Sequence, residues 1–322
     1  MKVRAFKRVI VTAFALAAIS AIVLYVVPVA RQRGRNVSQG RQWAGLLKEH
    51  PSFSASPVAD AVEVTFSYAA RTDENLAKLR LTYRLDEVAG NGPETERIIN
   101  LMRWVHGLGG HANDPKIPEE LNALSLIPLA QDQHMLMNCF MKTIILNEVY
   151  LAMGFESRQT HLRPAEKEEE ESHVATSVYS RTLGRWLFMD PDFGVYTADD
   201  QGVILGVREI RSRLIAGRRV EVKSIDPEPG VLAGAWSQVQ CFASGTDYLW
   251  YLKKNIFKIQ CPQNSQFNLR SLPNRVYVEL IPDGYREELL RAPEITPRGN
   301  TIVFTNDEGL FWQKPQGVAS GL

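Results

Sequence analysis

The chain has 322 residues, enough to bury one large hydrophobic core or two modest ones. Hydrophobic residues make up 45% of the chain and charged residues 23%, which is ordinary for a globular protein. The formal net charge is only +1, so the charge balance does not indicate a nucleic-acid partner, and none is predicted.

A long uncharged stretch covers residues 9–30. As a helix it would span about 33 Å, enough for the hydrocarbon core of a bilayer. Four basic residues precede it and three arginines follow, so the positive-inside rule gives only a weak indication of the orientation in the membrane. Exporting a short tail with four fixed positive charges is unfavourable. We therefore predict a signal-anchor at residues 1–36, with the remainder of a single-pass protein outside the cytoplasm. A cleaved signal peptide, leaving a secreted protein, is the alternative.

Residues 37–95 are predicted to be a linker followed by N-terminal strands. Glycines and prolines interrupt the first part, where one helical turn is expected around Trp43–Leu47. Val62–Phe66 and Lys78–Leu85 alternate apolar and polar residues, which is typical of strands.

Residues 94–106 have the periodicity of an amphipathic helix. Its predicted apolar side is formed by Ile98, Leu101, Met102 and Val105. His106, His111 and Asp114 are close in sequence and suggest a metal site as an alternative. Their spacing matches no tight zinc motif, so neither a metal nor another cofactor is predicted.

Residues 138–154 read as one helix, with apolar residues recurring at helical spacing. Asn138 is a good N-cap residue and Gly154 a good C-terminal stop. Cys139 then lies in the first turn, where the positive end of the helix dipole favours a thiolate. A lone cysteine here is also typical of a small buried apolar residue.

Two short strands follow, joined by a turn at residues 181–184. His173 opens the first strand, after a run rich in glutamate at 166–171, and Asp190 ends the second strand, before a proline. In such a hairpin both residues lie near the same end, so we expect them to touch across the strands. Taken singly, His173 is typical of an exposed strand end and Asp190 of a turn.

Cys139, His173 and Asp190 together supply the parts of an activated cysteine nucleophile. The thiolate attacks, the imidazole moves protons, and the carboxylate fixes the tautomer and orientation of the imidazole. No other trio in the chain combines this chemistry with a suitable local context.

The region from 227 to 322 is predicted to be a C-terminal, β-rich extension, because prolines and glycines at 227–234 mark a boundary. It contains a predicted aromatic helix, Thr246–Asn255, and strands at Phe257–Cys261, Val276–Ile281, Thr301–Thr305 and Leu310–Trp312. These strands would either extend the catalytic sheet or build a small appendage. Cys241 and Cys261 remain as a disulfide pair for an exported domain.

Several motifs jointly resemble the transglutaminase-like superfamily, cysteine enzymes with a papain-like core, over about residues 96–213. They are Asn138-Cys139 with the helix end Leu151–Phe155, then Ser157-Arg158, His173–Ser180 and Gly184–Pro191. The resemblance implies an α+β fold in which a helix carrying Cys139 packs on an antiparallel sheet carrying His173 and Asp190. It implies a catalytic core at 96–226 and a bacterial origin, so that with the predicted signal-anchor the protein would be a bacterial, membrane-anchored member.

The resemblance also implies roles: Cys139 as nucleophile, His173 as base and Asp190 as the residue that orients the base. The residues before Cys139 depart from the family, which often has glycine and a small apolar residue there. Two groups are candidates for the oxyanion donor: the Cys139 backbone N–H, and Gln133, six residues earlier, as in papain-type proteases.

The function that follows is cleavage or transfer at an amide bond of a peptide or protein through a thioester, by a protease, an amidase or an acyltransferase. Two other classes remain open. The same fold could serve as a catalytically silent binding or scaffolding module. A thiol redox or metal protein built on the three cysteines is the third reading, although their spacing suits neither a CxxC motif nor a compact metal site.

Overall fold

The computed structural model describes residues 42–54, 64–70, 72–165, 172–225 and 245–315. In the last of these segments the side chains are described from residue 248 onward. Residues 42–49 are helical. The further α-helices are α1 Glu74–Thr82, α2 Leu85–Ala89, α3 Glu94–His106, α4 Ala123–Gln133, α5 Cys139–Ala152, α6 Val207–Ile215, α7 Gly245–Asn255 and α8 Glu308–Phe311. Short 3₁₀ helices cover Leu269–Ser271 and Glu287–Arg291.

The strands are β1 Ser67–Tyr68, β2 Ser157–Arg163, β3 His173–Ser180, β4 Arg185–Asp190, β5 Val195–Ala198, β6 Glu221–Ser224, β7 Lys258–Pro262, β8 Asn264–Ser265, β9 Val276–Leu280, β10 Glu294–Ile295 and β11 Thr301–Thr305. Nine of them form one sheet in the order β10-β11-β9-β7-β2-β3-β4-β5-β6, and β1 pairs with β8. In the large sheet β11 and β9 are parallel, whereas the other neighbours are antiparallel. The fold class is therefore α+β with a large, mostly antiparallel sheet.

The C-terminal strands extend this sheet. Strand β7 pairs with β2, and β9, β11 and β10 continue outward from it. Strand β2 is consequently an interior strand, with β7 on one side and β3 on the other. Of the two arrangements open from sequence, the structure has the extended sheet and no detached appendage within the described residues.

Helix α5 lies at the centre of the helical layer. The Asn138 side chain caps it by accepting a hydrogen bond of 3.1 Å from the Met141 backbone N–H. Every residue from Met141 to Leu151 is buried, because α1, α3, α4 and strand β3 pack around the helix. A helix with apolar residues on all sides is a core helix, and here it presents its first turn at one end of the sheet.

Both faces of the sheet are covered. Alternate residues of β4 show this: Leu187 and Met189 belong to the core that contains α5, whereas Trp186 and Phe188 belong to the core that contains residues of α7. At the hairpin turn, Glu94 of α3 accepts hydrogen bonds from the Ser180 hydroxyl and from two backbone N–H groups. This contact ties the β3–β4 hairpin to the helical layer.

Several elements agree with the sequence predictions. The helix Glu94–His106 has the predicted bounds, and its four predicted apolar residues are fully buried. The strands Arg185–Asp190 and Thr301–Thr305 also have the predicted bounds. His173–Ser180 begins at the predicted residue, and Val276–Leu280 ends one residue before the predicted end. Lys258–Pro262 is shifted by one residue at both ends from the predicted Phe257–Cys261.

The predicted strand Lys78–Leu85 is wrong, because this region is helical. Asp73 caps α1 through hydrogen bonds from the backbone N–H groups of Asn75 and Leu76. The helix buries Leu76 and Leu79, one turn apart, and leaves Leu81 78% exposed. A strand would have put Leu79 and Leu81 on one face, so the alternating pattern was coincidental.

Two further strand predictions need correction. Leu310–Trp312 is not a strand, because Glu308–Phe311 is a short helix capped by Asp307. Residues 64–66 of the predicted strand Val62–Phe66 are not in a strand, and the first strand, Ser67–Tyr68, follows them. Residues 62 and 63 lie outside the described part of the chain.

The predicted membrane anchor at residues 1–36 lies outside the described residues, and the anchor stays a prediction. Within the described ranges, none of the helices combines the length and the apolar character that a bilayer crossing requires.

Candidate active site

Cys139 is the first residue of α5 and is half-buried. The first N–H groups of a helix have no partner within the helix, and they point out of its N-terminal end together with the positive end of its dipole. The Asn138 side chain occupies one of these donors, that of Met141. Cys139 therefore lies at a partly open position at the N-terminal end of the helix.

His173 and Asp190 are in direct contact. The Nε2–H of His173 donates a hydrogen bond of 2.6 Å to Oδ2 of Asp190, and both side chains are buried. In the β3–β4 register Thr176 pairs with Met189, so His173 is diagonal to Asp190 and not directly opposite it. A long imidazole spans this diagonal, because residues two positions off are still within reach of aromatic side chains.

Asp190 accepts four hydrogen bonds within the described residues. Oδ2 accepts from His173 and from the Tyr248 hydroxyl, each at 2.6 Å. Oδ1 accepts from the backbone N–H groups of Asp192 at 3.0 Å and Phe193 at 3.2 Å. The turn that follows β4 and the helix α7 therefore hold the carboxylate on both oxygens, which fixes the direction from which it meets the imidazole.

The pKa values of His173 and Asp190 shift in opposite directions. Burial alone would raise the pKa of Asp190, but the His173 charge and the hydrogen bonds from His173, Tyr248 and Phe193 hold it below its usual range. Burial alone would lower the pKa of His173, but the charge and hydrogen bond of Asp190 keep it well above its usual range. The pair therefore favours an imidazolium facing a carboxylate.

The second ring nitrogen of His173 is the one available to Cys139. Among the described residues, the buried Nδ1 makes no hydrogen bond of ordinary length and angle. The Cys139 thiol is nevertheless close enough to raise the pKa of His173, both as a hydrogen-bonding neighbour and as a negative charge when ionised. Because Asp190 occupies Nε2, Nδ1 is the ring nitrogen without a hydrogen bond among the described residues.

Aromatic side chains enclose the imidazole. The ring of Tyr251 meets the His173 ring edge-on at a centroid distance of 5.2 Å, and the Phe193 ring lies at 5.5 Å. Such packing excludes water and strengthens the interaction between His173 and Asp190. We predicted the aromatic helix that carries Tyr248 and Tyr251, but not that it would contact this site.

A second polar cluster, Asp192 with His111 and Lys142, lies beside the first. Nδ1–H of His111 donates to Oδ2 of Asp192 at 2.7 Å, and Nζ of Lys142 lies 3.5 Å from its Oδ1. The side chains of Asp192 and Lys142 are 1% and 2% exposed. Asp192 and Lys142 are not predicted from the sequence, in which the lysine within an apolar helix is the available signal. His111 was considered only as a metal ligand.

The structure gives that metal alternative no support within the described residues, where no three His, Cys, Asp or Glu side chains are arranged to hold an ion. The partner of His111 is Asp192, from beyond β4, and not the nearby Asp114 of the sequence.

The other predicted site residues are not in contact with the Cys139 region in any described interaction. Gln133 is the last residue of α4 and is exposed, so its oxyanion role stays a prediction. Cys261 is fully buried, burial raises the pKa of its thiol to about 11, and its sulfur lies 3.7 Å from the Thr160 hydroxyl. Cys241 lies outside the described residues, so the pairing with Cys261 stays a prediction.

Comparison with protein-family models and with curated proteins finds no match to the chain. Among solved structures, the chain is similar to a candidate cysteine protease from Cytophaga hutchinsonii, with 13% sequence identity and a TM-score of 0.29. The alignment covers 56% of this chain and 62% of the other, so it spans less than two thirds of that protein. A likeness of this extent does not assign a family.

Proposed function

We propose that this protein is a cysteine enzyme that cleaves or transfers acyl groups at amide bonds through a thioester. Cys139 is the nucleophile, His173 the general base and acid, and Asp190 the residue that orients the imidazole. The hydrogen bond of 2.6 Å between His173 and Asp190 carries the proposal, because it occupies Nε2 and leaves Nδ1 for the thiol.

In the first step Nδ1 of the neutral His173 imidazole takes the thiol proton of Cys139, which leaves a thiolate beside an imidazolium that Asp190 stabilises. The thiolate then attacks the amide carbonyl carbon, forming a C–S bond and a tetrahedral oxyanion. The Cys139 backbone N–H, which has no partner within its own helix, is the proposed donor to that oxyanion. The raised pKa of His173 supports this step, because it makes the imidazole a stronger base for the thiol proton.

In the second step Nδ1–H of His173 protonates the leaving amine nitrogen and the C–N bond breaks. The acyl group stays on the sulfur as a thioester. Water or a second amine then gives a proton to His173 and attacks the thioester carbon, which releases the acyl group and restores the thiol. Hydrolysis and acyl transfer differ only in this acceptor.

Alkylation of Cys139 tests the proposal without a known substrate. The full-length chain, purified in mild detergent, is treated with iodoacetamide between pH 5 and pH 9.5, and the Cys139 peptide is followed by mass spectrometry. We expect His173→Ala to slow alkylation at pH 7 by about 10–100-fold. The difference should close at pH 9.5, where an ordinary thiol ionises unaided.

The buried Cys261 is the internal control, because its thiol is shielded and its pKa is raised to about 11. Equal alkylation of Cys139 in the two proteins across the pH range would contradict the proposal. It would leave the silent binding or scaffolding module as the better description of this fold.

The substrate we propose is a peptide or protein amide. Incubation with a glutamine-rich protein and a fluorescent primary amine separates the two reactions. New protein termini indicate hydrolysis, and fluorescent protein indicates transfer. A bacterial, extracytoplasmic location, with the membrane anchor before residue 37, is part of the same proposal. Protease digestion of intact cells expressing the full chain would test it, since only an exported domain is accessible.

A further inference from the structure

The turn that carries Asp190 is held from several directions. It runs from Asp190 to Gly194, between β4 and β5, and it closes on Oδ1 of Asp190 through two backbone N–H groups. Nδ1–H of His106, at the end of α3, donates to the Pro191 carbonyl at 2.9 Å. Gly194 has φ +61°, and a Cβ there would meet Nε2 of His106 at 2.9 Å. Position 194 therefore excludes larger residues.

Asp192 connects this turn to the helix that carries the sulfur. Its backbone N–H binds Asp190, and its carboxylate reaches Lys142, three residues after Cys139 on α5. Residues three apart on a helix share one side, so Lys142 lies one turn behind the sulfur. Two nearly fully buried, opposite charges at 3.5 Å resist separation, because either one alone would be left desolvated.

His111 holds the same carboxylate from the outer side. It donates to Oδ2 of Asp192, and its ring stacks on Phe193 at 6.4 Å with an angle of 19°. The segment around His111 pairs with the chain just before α5: the Met137 N–H donates to the Gly110 carbonyl, and the Ala112 N–H donates to the Met137 carbonyl. Asp192 is therefore linked to α5 twice, through Lys142 and through the segment leading into Cys139.

We propose that Asp192, with Lys142 and His111, is a positioning residue of the proposed cysteine enzyme. It sets the distance between the Cys139 helix and the Asp190 turn, and so keeps the sulfur in register with Nδ1 of His173. None of the three needs to touch a substrate. The inference rests on the proposed roles of Cys139 and His173, because positioning matters only if these two groups react together.

The test uses the same alkylation measurement on the full-length chain in detergent, with Asp192→Asn and Lys142→Met. Each variant removes one charge of the buried pair. We expect each to slow Cys139 alkylation at pH 7 by about tenfold, because a small displacement of reacting groups carries a large penalty in rate. At pH 9.5 the rates should converge, since the thiolate then forms without the imidazole.

Glu279→Gln is the matched control. Glu279 is a buried carboxylate, 3% exposed, that pairs with Lys258 at 3.7 Å on strands β9 and β7. The Glu279→Gln variant should lower the free energy of unfolding as Asp192→Asn does, yet leave the dependence of Cys139 alkylation on pH unchanged. Lys142→Arg keeps the charge and should recover most of the rate that Lys142→Met loses. If Asp192→Asn fails to fold, His111→Gln, which removes the partly exposed partner, carries the same test.

The outcomes separate the two proposals. If His173→Ala is slow while the Asp192 and Lys142 variants keep the wild-type profile, the proposed function stands and the positioning role is wrong. If Glu279→Gln slows Cys139 as much as Asp192→Asn does, loss of stability explains the effect and the positioning role is again wrong. If even His173→Ala reacts like the wild type, the proposed function fails and the positioning role falls with it.

Discussion

Two fully buried carboxylates behave in opposite ways. Asp190, which contacts His173, has a lowered pKa, whereas Glu148, in the middle of α5, has a pKa raised to about 8. Burial pushes both values upward. Glu148 accepts only two backbone hydrogen bonds, from Ala123 at 2.7 Å and Asn268 at 2.9 Å, and these do not offset its desolvation.

The difference comes from a partner that can itself carry charge. Asp190 faces His173, and the two hold each other in the ionised form. The stabilisation from Asp190 is present above its unfolded pKa of 3.8 and is lost as pH falls through the lowered folded value. The stabilisation from His173 is fully present below its unfolded pKa of 6.5 and is lost as pH rises through its raised pKa in the folded protein. Burial without a titratable partner raises the pKa of a carboxyl group, as in Glu148. A buried carboxylate with a titratable partner stays ionised, as Asp190 does, and is a candidate site residue.

Asp190→Asn is expected to have the largest effect, because it removes the charge that distinguishes the surroundings of His173. The amide removes the negative charge, so burial would dominate and the pKa of His173 should fall below its usual range. We expect Cys139 alkylation at pH 7 to drop by about 10–100-fold, as in His173→Ala, because the thiol then ionises with little help from the imidazole. Asp86→Asn, which removes an exposed partner of Arg80, is the control and should react like the wild type. A wild-type rate in Asp190→Asn would show that the carboxylate does not tune the imidazole.

Glu148→Gln tests whether a buried carboxyl group without a titratable partner has a raised pKa. Between the unfolded pKa of 4.5 and about 8 the folded protein binds the extra proton, so stability of the wild type should fall as pH rises, by up to about 1.4 kcal/mol per pH unit. The glutamine cannot titrate, so this slope should disappear. Denaturant unfolding at pH 5, 6, 7 and 8 measures it, with the exposed Glu119→Gln as control. Parallel slopes in wild type and Glu148→Gln would sink the prediction.

The smallest expected effect belongs to Tyr248→Phe. Its hydroxyl donates one of the four described hydrogen bonds to Asp190, and His173 remains in place. We expect a loss of about 1.5–3 kcal/mol in unfolding free energy and less than a tenfold change in alkylation rate. Tyr179→Phe, in the same core at the hairpin end of β3, is the control. A loss of rate as large as that of Asp190→Asn would instead make the Tyr248 hydrogen bond as important for the reactivity of Cys139 as the charge of Asp190.

The elements that carry Cys139, His173 and Asp190 could be predicted because their signals are local. An N-cap asparagine, apolar spacing and a four-residue turn are each contained within a short window. Strand β2 was missed for the opposite reason. Arg158, Gln159 and Thr160 are buried polar residues, so the strand lacks the alternation of apolar and polar residues that marks a half-exposed strand.

Contacts between distant residues could not be read from the sequence. Asp190 meets Tyr248 58 positions later, and Asp192 meets His111 81 positions earlier. No periodicity joins such residues, because only the closure of the sheet brings them together. A buried lysine such as Lys142 gives a hint that an acid must lie nearby, but not which acid.

The place of strand β7 has a consequence for synthesis. When a ribosome has released the chain only as far as residue 225, β2 has no neighbour on its β7 side, and the Tyr248 donor to Asp190 has not yet been made. The unfinished polypeptide therefore has an open sheet edge and an incompletely held acid. The Tyr248 hydrogen bond to Asp190 and the pairing of β2 with β7 form only after residues 245–262 emerge, when most of the chain has been translated.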